Sequence, residues 1–170
     1  MTMGIKYILD TNVFVQAKNL YYQFHFCPGF WDWLCKLNPN GFLSIKNVYD
    51  EICYTNDELK EWVTKQQSFF VDFDNRSATK ISEIKKLLDK KQVPQYQQTE
   101  FLSVADSFLV AFAMEHNCTI VTHEKLATNN LLCAKGKVQL PSVAKELGVP
   151  CKTIFNVIEA ETNYKLILAN

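Results

Sequence analysis

The sequence predicts an α/β domain in which helices cover a mainly parallel sheet of about five strands. Apolar segments of strand length alternate along the chain with longer segments of helical periodicity, a pattern typical of parallel sheets with helical crossovers. The composition agrees, because 48% of the 170 residues are hydrophobic and 13% are aromatic, enough for a substantial core. We therefore expect a single domain over residues 1–170, with an apolar helix and tail from about residue 151 packed on it.

The strands are predicted from short apolar runs. The first covers residues 7–9 (YIL) and ends at once on Asp10, as expected for a buried strand. The other four candidates, in chain order, are residues 41–45, 68–73, 118–122 and 137–140.

The helices are predicted from apolar positions three and four residues apart. They cover residues 29–37, 48–54, 57–67, 79–90, 103–116 and 142–147, and a last helix near 153–160 precedes an apolar tail at 166–168. Helix ends are marked by Asn117 after the fifth helix and by Gly148 and Pro150 after the sixth.

Charge and cysteine content narrow the classes of function. Lys plus Arg and Asp plus Glu both number 18, so any affinity for nucleic acid would have to come from a local basic patch. The six cysteines lie far apart without a C-x-x-C pair, which fits neither a zinc ribbon nor a small disulfide scaffold and predicts reduced thiols. The sequence contains neither a secretory signal nor an apolar run of membrane-spanning length, so we expect a soluble, cytoplasmic protein without a membrane partner.

Four acidic residues occupy positions where water is expected to be scarce. Asp10 follows the first strand, and Glu124 follows the fourth in "CTIVTHEK". Glu51 shares the inward face of its helix with Val48 and Ile52, and Asp106 lies in the apolar helix "FLSVADSFLVAFAM". Asp10 by itself could equally cap a helix, whereas capping does not explain an aspartate in the middle of a helix.

Several buried carboxylates in one place need a compensating cation. No Lys or Arg lies at helical spacing beside Asp106 or on the inward face of Glu51. Oxygen ligands suit Mg²⁺ or Mn²⁺, whereas zinc would require closely spaced His or Cys residues. These ions bind phosphate oxygens, so the sequence predicts phosphoryl chemistry.

The ordered set of motifs resembles the PIN-domain nucleases. It comprises D-T-N-V after the first strand, an inward Glu in a following helix, A-D-x-x-L-x-x-x-A in a later helix and V-T-x-E after the next strand. Over nearly the whole chain, "DTNVFVQAKNLYYQF", "PGFWDWL", "VYDEI", "VTHEK" and "VQLPSVAKELGV" are similar to the DUF4411 branch of that superfamily. The resemblance implies a Rossmann-like, three-layer α/β/α fold and a metal-dependent ribonuclease acting on single-stranded RNA, often as the toxin of a toxin–antitoxin pair.

The resemblance assigns metal-binding and catalytic roles to Asp10, Glu51 and Asp106. The fourth position, Asp in many PIN domains, is Glu124 here, and its longer side chain could act through water or at a second ion. With one or two Mg²⁺ or Mn²⁺ ions, hydrolysis would leave a 5′-phosphate. An antitoxin protein and a homo-oligomer remain open as partners.

Polar neighbours of these acids are candidates for supporting roles. Thr11, Asn12 and Thr122 could orient the acids or contact substrate, although Thr11 and Asn12 also fit turn chemistry and helix capping. The phosphate-binding candidates that flank the site are Lys46, Lys125, Lys135 and Lys137.

Two further groups have a structural and a functional interpretation. The aromatic residues between Tyr21 and Trp33 could stack RNA bases, although such a density more often indicates core packing. The lysines at residues 80–91 could follow phosphates, although a run of charge usually marks a solvated helix face.

Two other classes of function compete with the nuclease. One is a catalytically silent PIN-like module that binds RNA or serves as a scaffold, although such a module would not need all four acids. The other is a phosphohydrolase of the haloacid dehalogenase type. That chemistry requires a second Asp two residues after the nucleophile, and this chain has Asn12 two residues after Asp10.

Overall fold

The computed structural model describes residues 4–126, 131–132 and 136–162. The predictions for the apolar tail at 166–168, for Cys133 and for Lys135 therefore lie outside the described residues. The five described cysteines are free thiols, as expected from their spacing.

In the described part of the chain, five parallel strands form the central sheet, in the spatial order β3-β2-β1-β4-β5. The strands are β1 (Tyr7–Leu9), β2 (Phe42–Ile45), β3 (Phe70–Val71), β4 (Thr119–Val121) and β5 (Cys151–Lys152). All residues of β1 and β2 are buried, because a central parallel strand is covered on both faces and therefore needs a continuous apolar run. The one polar residue among them, Ser44, donates a hydrogen bond to the carbonyl oxygen of Leu9 at 2.6 Å.

Helices connect and cover the strands. Those of the described residues are α1 (Thr11–Asn19), α2 (Pro28–Leu37), α3 (Lys46–Cys53), α4 (Glu58–Lys65), α5 (Asn75–Lys90), α6 (Gln95–Ser103), α7 (Ala105–His116), α8 (Leu140–Glu146) and α9 (Ile154–Thr162). Short 3₁₀ helices at Asn38–Asn40 and Gln67–Phe69 precede β2 and β3. None of the described helices is both long enough and apolar enough to cross a bilayer.

Local sequence explains several helix ends. Asp57 and Asp74 cap α4 and α5, each accepting hydrogen bonds from two backbone amides of the first turn. Asn117 ends α7 in the left-handed conformation (φ 51°), as predicted from its position. Gly41, which turns the chain into β2, has φ +89°, and a Cβ there would lie 2.6 Å from the carbonyl oxygen of Gly4. Glycine is therefore required at that turn.

The core surrounds the sheet, and α7 is its central helix. Seven of the twelve residues of α7 are buried, which explains why its sequence is apolar on every side. Helix α7 packs along α5 and also contacts α3, α6 and α8. Helix α9 contributes Ile154, Val157 and Ile158 to the same core.

The parallel α/β architecture predicted from the sequence is confirmed, but two elements were placed wrongly. Residues 137–140 do not form a sheet strand: Val138 makes an isolated antiparallel bridge with Leu132, and α8 begins at Leu140. The fifth strand is Cys151–Lys152 instead. The predicted helix over 103–116 is interrupted at Val104, which has extended backbone (φ −109°, ψ 168°).

Two helices were missed, α1 and α6. Asp106 consequently lies in the first turn of α7, and its predicted position in the middle of a helix was wrong. Burial and neighbouring charges, and no hydrogen bond, shift the pKa of its carboxyl group, so a capping hydrogen bond does not explain this aspartate either.

Candidate active site

The order of the strands creates a crevice between β1 and β4. The chain leaves β1 for β2 on one side, and β4 later pairs with the other side of β1. In open parallel sheets, such a reversal of strand order places ligand sites beyond the carboxyl ends of the two strands. Asp10 follows β1 directly, and Thr122 and Glu124 follow β4.

Asp10 is held mainly by side chains. It occupies the position before α1, yet its carboxylate makes no side-chain capping hydrogen bond to that helix. The carboxylate instead accepts hydrogen bonds from the Thr122 hydroxyl at 2.8 Å and from the Asn12 side-chain amide. Asn12 also accepts a hydrogen bond from the His123 backbone amide at 2.9 Å. These bonds tie the end of β1 to the segment after β4 and fix the orientation of Asp10.

Glu51 joins three helices. The Thr11 hydroxyl of α1 donates to one carboxylate oxygen, and the Ala105 backbone amide at the start of α7 donates to the other at 2.9 Å. Glu51 itself lies on α3. The break at Val104 therefore has a structural consequence, because it frees the Ala105 amide to bind this carboxylate.

Asp106 and Glu124 line a cleft of about 240 Å³ together with Lys137 and Gln97. Glu124 is fixed from the far side of the cleft, since one of its oxygens accepts a hydrogen bond from the Leu140 backbone amide at 3.1 Å. Lys137 forms an ion pair with Glu100 at 3.2 Å.

The four acids influence one another electrostatically. Burial raises the pKa of Asp10 to about 7, and the negative charges of Glu124 and Glu51 add to this, while the hydrogen bond from Thr122 opposes it. Burial likewise raises the pKa of Asp106 to about 8, with further contributions from the charges of Asp10, Glu124 and Glu51. Burial also raises the pKa of Glu124, against the lowering effects of the Leu140 amide and Lys137. The structure thus brings the four predicted acids into one electrostatic cluster.

This donor set fits a hard divalent cation in its chemistry. Mg²⁺ and Mn²⁺ prefer carboxylate oxygens, and a 2+ charge would offset the repulsion that raises the pKa of Asp10 and Asp106. Within the described ranges, however, no three His, Cys, Asp or Glu side chains are already arranged to hold a metal ion.

The raised pKa values predict that the metal-free protein loses stability as pH rises. Asp106 keeps a proton up to about pH 8 in the folded state, whereas an unfolded Asp ionises near pH 4, so unfolding releases protons throughout this window and becomes easier with increasing pH. In Asp106→Asn, the fall in melting temperature between pH 5 and pH 8.5 should be smaller than in wild type, by several degrees. Thermal denaturation in chelator measures this difference.

Asp50→Asn provides the control for this pH series, because Asp50 is an exposed aspartate one residue before Glu51. Its melting curve should follow wild type at every pH. If the melting temperature fell equally with pH in wild type and in Asp106→Asn, the raised pKa of Asp106 would be contradicted. The His116–Asp74 ion pair affects all three proteins alike and cancels in the comparison.

The predicted supporting residues separate into two groups. Thr11, Asn12 and Thr122 bind the acids directly, as described above, and Lys137 lines the cleft. Lys46 is instead paired with the exposed Asp72 at 2.7 Å, and Lys125 is exposed. Neither of the last two is among the described residues that line the acid-bearing cleft.

Sequence reasoning missed three contributors to the site. The Ala105 and Leu140 amides are backbone groups, invisible to a search for chemically active side chains. Gln97 lies in the polar segment "QYQQTE", which carries no helical pattern. It is buried beside the acids, and its Oε1 atom accepts no hydrogen bond from the described part of the chain.

The aromatic residues between Tyr21 and Trp33 mainly serve packing. Tyr22 stacks on Phe30 with ring centroids 4.2 Å apart, and Phe24 stacks on Trp31 at 4.1 Å. Phe30 and Trp31 are buried in the core. Tyr21 and Phe26 are exposed.

Comparisons with known proteins agree with this architecture. The family model described as "Domain of unknown function (DUF4411)" matches residues 7–164. A chain in the crystal structure of VapBC2 from Rickettsia felis, bound to a DNA fragment from the promoter, has a similar fold, with a TM-score of 0.54 and 16% sequence identity over 88% of this chain and 98% of that chain. No curated protein matches the sequence. The chain belongs to the DUF4411 family and has the α/β fold of a PIN domain.

Proposed function

We propose that the protein is a Mg²⁺- or Mn²⁺-dependent endoribonuclease that hydrolyses phosphodiester bonds of single-stranded RNA. The observation that carries this proposal is the cluster of the buried Asp10 with the partly buried Glu51, Asp106 and Glu124. Each of the two aspartates has its pKa raised by burial and by the other acids. A cluster of negative charge at the carboxyl ends of β1 and β4 is suited to hold cations against a phosphate group.

A bound Mg²⁺ or Mn²⁺ would supply stabilisation of charge on the phosphate and a lowered pKa for the attacking water. The chain supplies the fixed positions. Thr122 and Asn12 hold the Asp10 carboxylate, Thr11 and the Ala105 amide hold Glu51, and the Leu140 amide holds Glu124. Asp106 has no hydrogen-bond donor among the described residues and is therefore free to turn toward a cation.

Lys137 is the proposed phosphate ligand of the chain. It lies at the rim of the acid-bearing cleft and is exposed, and its charge lowers the pKa of Asp106 and Glu124. Its ion pair with Glu100 is exposed to solvent, so a phosphate can compete for the ammonium group at little cost.

We further propose that the protein is the toxin of a toxin–antitoxin pair. The fold similarity to a chain of VapBC2, which was crystallised with promoter DNA, supports an antitoxin as partner. Expression of wild type in a bacterial host should arrest growth, and expression of Asp106→Asn to the same level should not. Growth arrest by both proteins would contradict a toxin that acts through this site.

The direct test is cleavage by the purified protein. In Mg²⁺ or Mn²⁺, wild type should cut single-stranded RNA and leave 5′-phosphate ends, with slower cleavage of duplex RNA and of single-stranded DNA of the same sequence. The ends are identified by susceptibility of the products to a 5′-phosphate-dependent exonuclease. Faster cleavage of DNA than of RNA would contradict the proposed substrate.

One alternative is a catalytically silent module that binds RNA. That module would bind single-stranded RNA in Mg²⁺ without cutting any of a varied set of sequences. Such a result would replace the nuclease proposal.

The orientation of Glu51 predicts an effect of Thr11. In Thr11→Val, the Glu51 carboxylate loses the hydroxyl donor on one of its oxygens. Because Glu51 would then be oriented less well toward the cation, the cleavage rate should fall about tenfold. Thr11→Ser retains the hydroxyl and should stay within about twofold of wild type. Single-turnover cleavage at saturating Mn²⁺ measures both variants. Equal rates for the valine and serine variants would mean that this hydrogen bond does not position Glu51 for the reaction.

A further inference from the structure

A second cleft adjoins the acid-bearing one. It has a volume of about 460 Å³, and Thr122 and Glu124 form part of its wall. Glu124 also lines the acid-bearing cleft, so the two clefts meet at this side chain. Thr122, whose hydroxyl holds Asp10, lines the same cleft.

The lining of this second cleft combines apolar surface with positive charge. Leu126, Val149 and Pro150 contribute apolar surface, and Lys145 of α8 and Lys152 of β5 also line the cleft. The Lys152 ammonium group lies 5.9 Å from the centre of the Tyr7 ring. Both lysines are exposed. No ion pair with an acidic side chain involves either lysine among the described residues.

A nucleotide has the matching chemistry. Its base and ribose present flat and partly apolar surface, and its phosphate is the anion that lysines bind. The volume is within the range of clefts that hold small organic molecules. The cleft also shares Glu124 with the acid-bearing cleft, so a nucleotide bound in it would lie next to the acid cluster.

We infer that the second cleft binds a nucleotide of the RNA strand next to the bond that is cut, with Lys145 and Lys152 contacting its phosphates. The strand would thus cross Glu124 on its way from the acid cluster into the cleft. This inference rests on the proposed function, since it assigns the substrate path of the same site.

Binding without cleavage tests the two lysines separately from catalysis. In the Asp106→Asn background with Mg²⁺, Lys145→Gln combined with Lys152→Gln should raise the Kd for a 12-nucleotide single-stranded RNA about tenfold near 0.1 M salt. The slope of log K against log[salt] should decrease in magnitude by about 1.4, since each phosphate contact on a single strand contributes roughly 0.7.

A matched control removes the same charge elsewhere. Lys85 and Lys86 are exposed on α5 and line neither cleft. Lys85→Gln combined with Lys86→Gln should change the Kd less than about twofold, because net charge alone acts weakly at this ionic strength. An equal loss of affinity in both double variants would overturn the inference.

Substrate length supplies the second readout. With an otherwise wild-type enzyme, the Lys145→Gln/Lys152→Gln variant should lower kcat/KM about tenfold on long RNA. This decrease in kcat/KM should vanish for RNAs that lack the nucleotides on the side of the cut that would occupy the second cleft. It should persist for RNAs that are shortened on the other side. A loss that is the same for every length would contradict a nucleotide site on one side of the scissile bond.

Failure of the inference and failure of the proposed function give different results. RNA cleavage that does not depend on Lys145 and Lys152 overturns the nucleotide cleft and leaves the nuclease intact. If the wild-type protein cuts no RNA but its RNA binding depends on the two lysines, the result supports RNA binding in the second cleft and overturns the nuclease proposal. RNA binding with neither lysine dependence nor cleavage overturns both.

Discussion

Asp106→Asn should lower the rate of RNA cleavage on the order of 100-fold to 1,000-fold while the protein remains folded. The substitution keeps the size of the side chain and removes the charge that would hold a cation. Asp106 lines the acid-bearing cleft, and none of the described hydrogen-bond donors would be left without an acceptor by the change. Chemistry should therefore suffer far more than packing.

The stability of this variant gives an independent readout. The charges of Asp10, Glu51 and Glu124 all disfavour ionised Asp106, so an amide in its place relieves repulsion. Without metal at pH 8.5, the melting temperature of Asp106→Asn should equal or exceed that of wild type. A melting temperature several degrees lower would mean that Asp106 has a structural role, and the loss of activity could then not be assigned to chemistry.

Asp50→Asn is the matched control for cleavage. It makes the same chemical change at an exposed position on α3, next to Glu51, and should cut RNA within about twofold of wild type, as expected for a surface substitution. Cleavage by Asp106→Asn at the wild-type rate, on the same RNA and at the same protein concentration, would indicate a contaminating nuclease or a different site.

The sheet could be predicted from the sequence because its central strands are buried on both faces. Tyr7–Leu9 and Thr119–Val121 are apolar runs that a parallel sheet requires. The edge strand Cys151–Lys152 is only two residues long and carries no such pattern. A strand that short is fixed by its pairing with β4, a tertiary contact, and not by its own residues.

The missed helices have different physical explanations. Helix α6 begins with "QYQQTE", which lacks an apolar face, and it is stabilised by packing against α7 and α5. Helix α1 begins at Thr11, where the Asp-Thr-Asn sequence is equally typical of a turn. Pro141 lies near the start of α8 and is a helix-start signal, which would have assigned Leu140 to the helix and not to the predicted strand at 137–140.

The candidate site could be predicted as a set of side chains but not as a set of contacts. Asp10, Glu51, Asp106 and Glu124 were found because an acid in an apolar environment is exceptional in sequence. The amides of Ala105 and Leu140 could not be found, because any residue except proline offers such a donor. Their availability depends on the break at Val104 and on the start of α8. The catalytic and metal-binding roles of the four acids stay predictions.

Removal of divalent cations should abolish cleavage, and Mn²⁺ should restore it while raising the melting temperature of wild type. The physical reason is competition between cations and protons, because a carboxyl group that binds a cation must give up its proton. The pKa of Asp10 is about 7 and that of Asp106 about 8, so at pH 6 both groups hold protons that the ion would have to displace. Mn²⁺ should therefore stabilise wild type more at pH 8.5 than at pH 6.

The size of this stabilisation follows from mass action. An ion present at 100 times its Kd stabilises the folded state by about 2.7 kcal/mol, which corresponds to several degrees for a chain of this length. Asp50→Asn should show the full shift at pH 8.5, and Asp106→Asn should show less than half of it, since one of the clustered charges is lost. Thermal denaturation across a Mn²⁺ series at both pH values measures the three proteins. An equal shift in Asp106→Asn would place the stabilising ion elsewhere on the protein, and cleavage that persists in chelator would exclude a cation from the reaction.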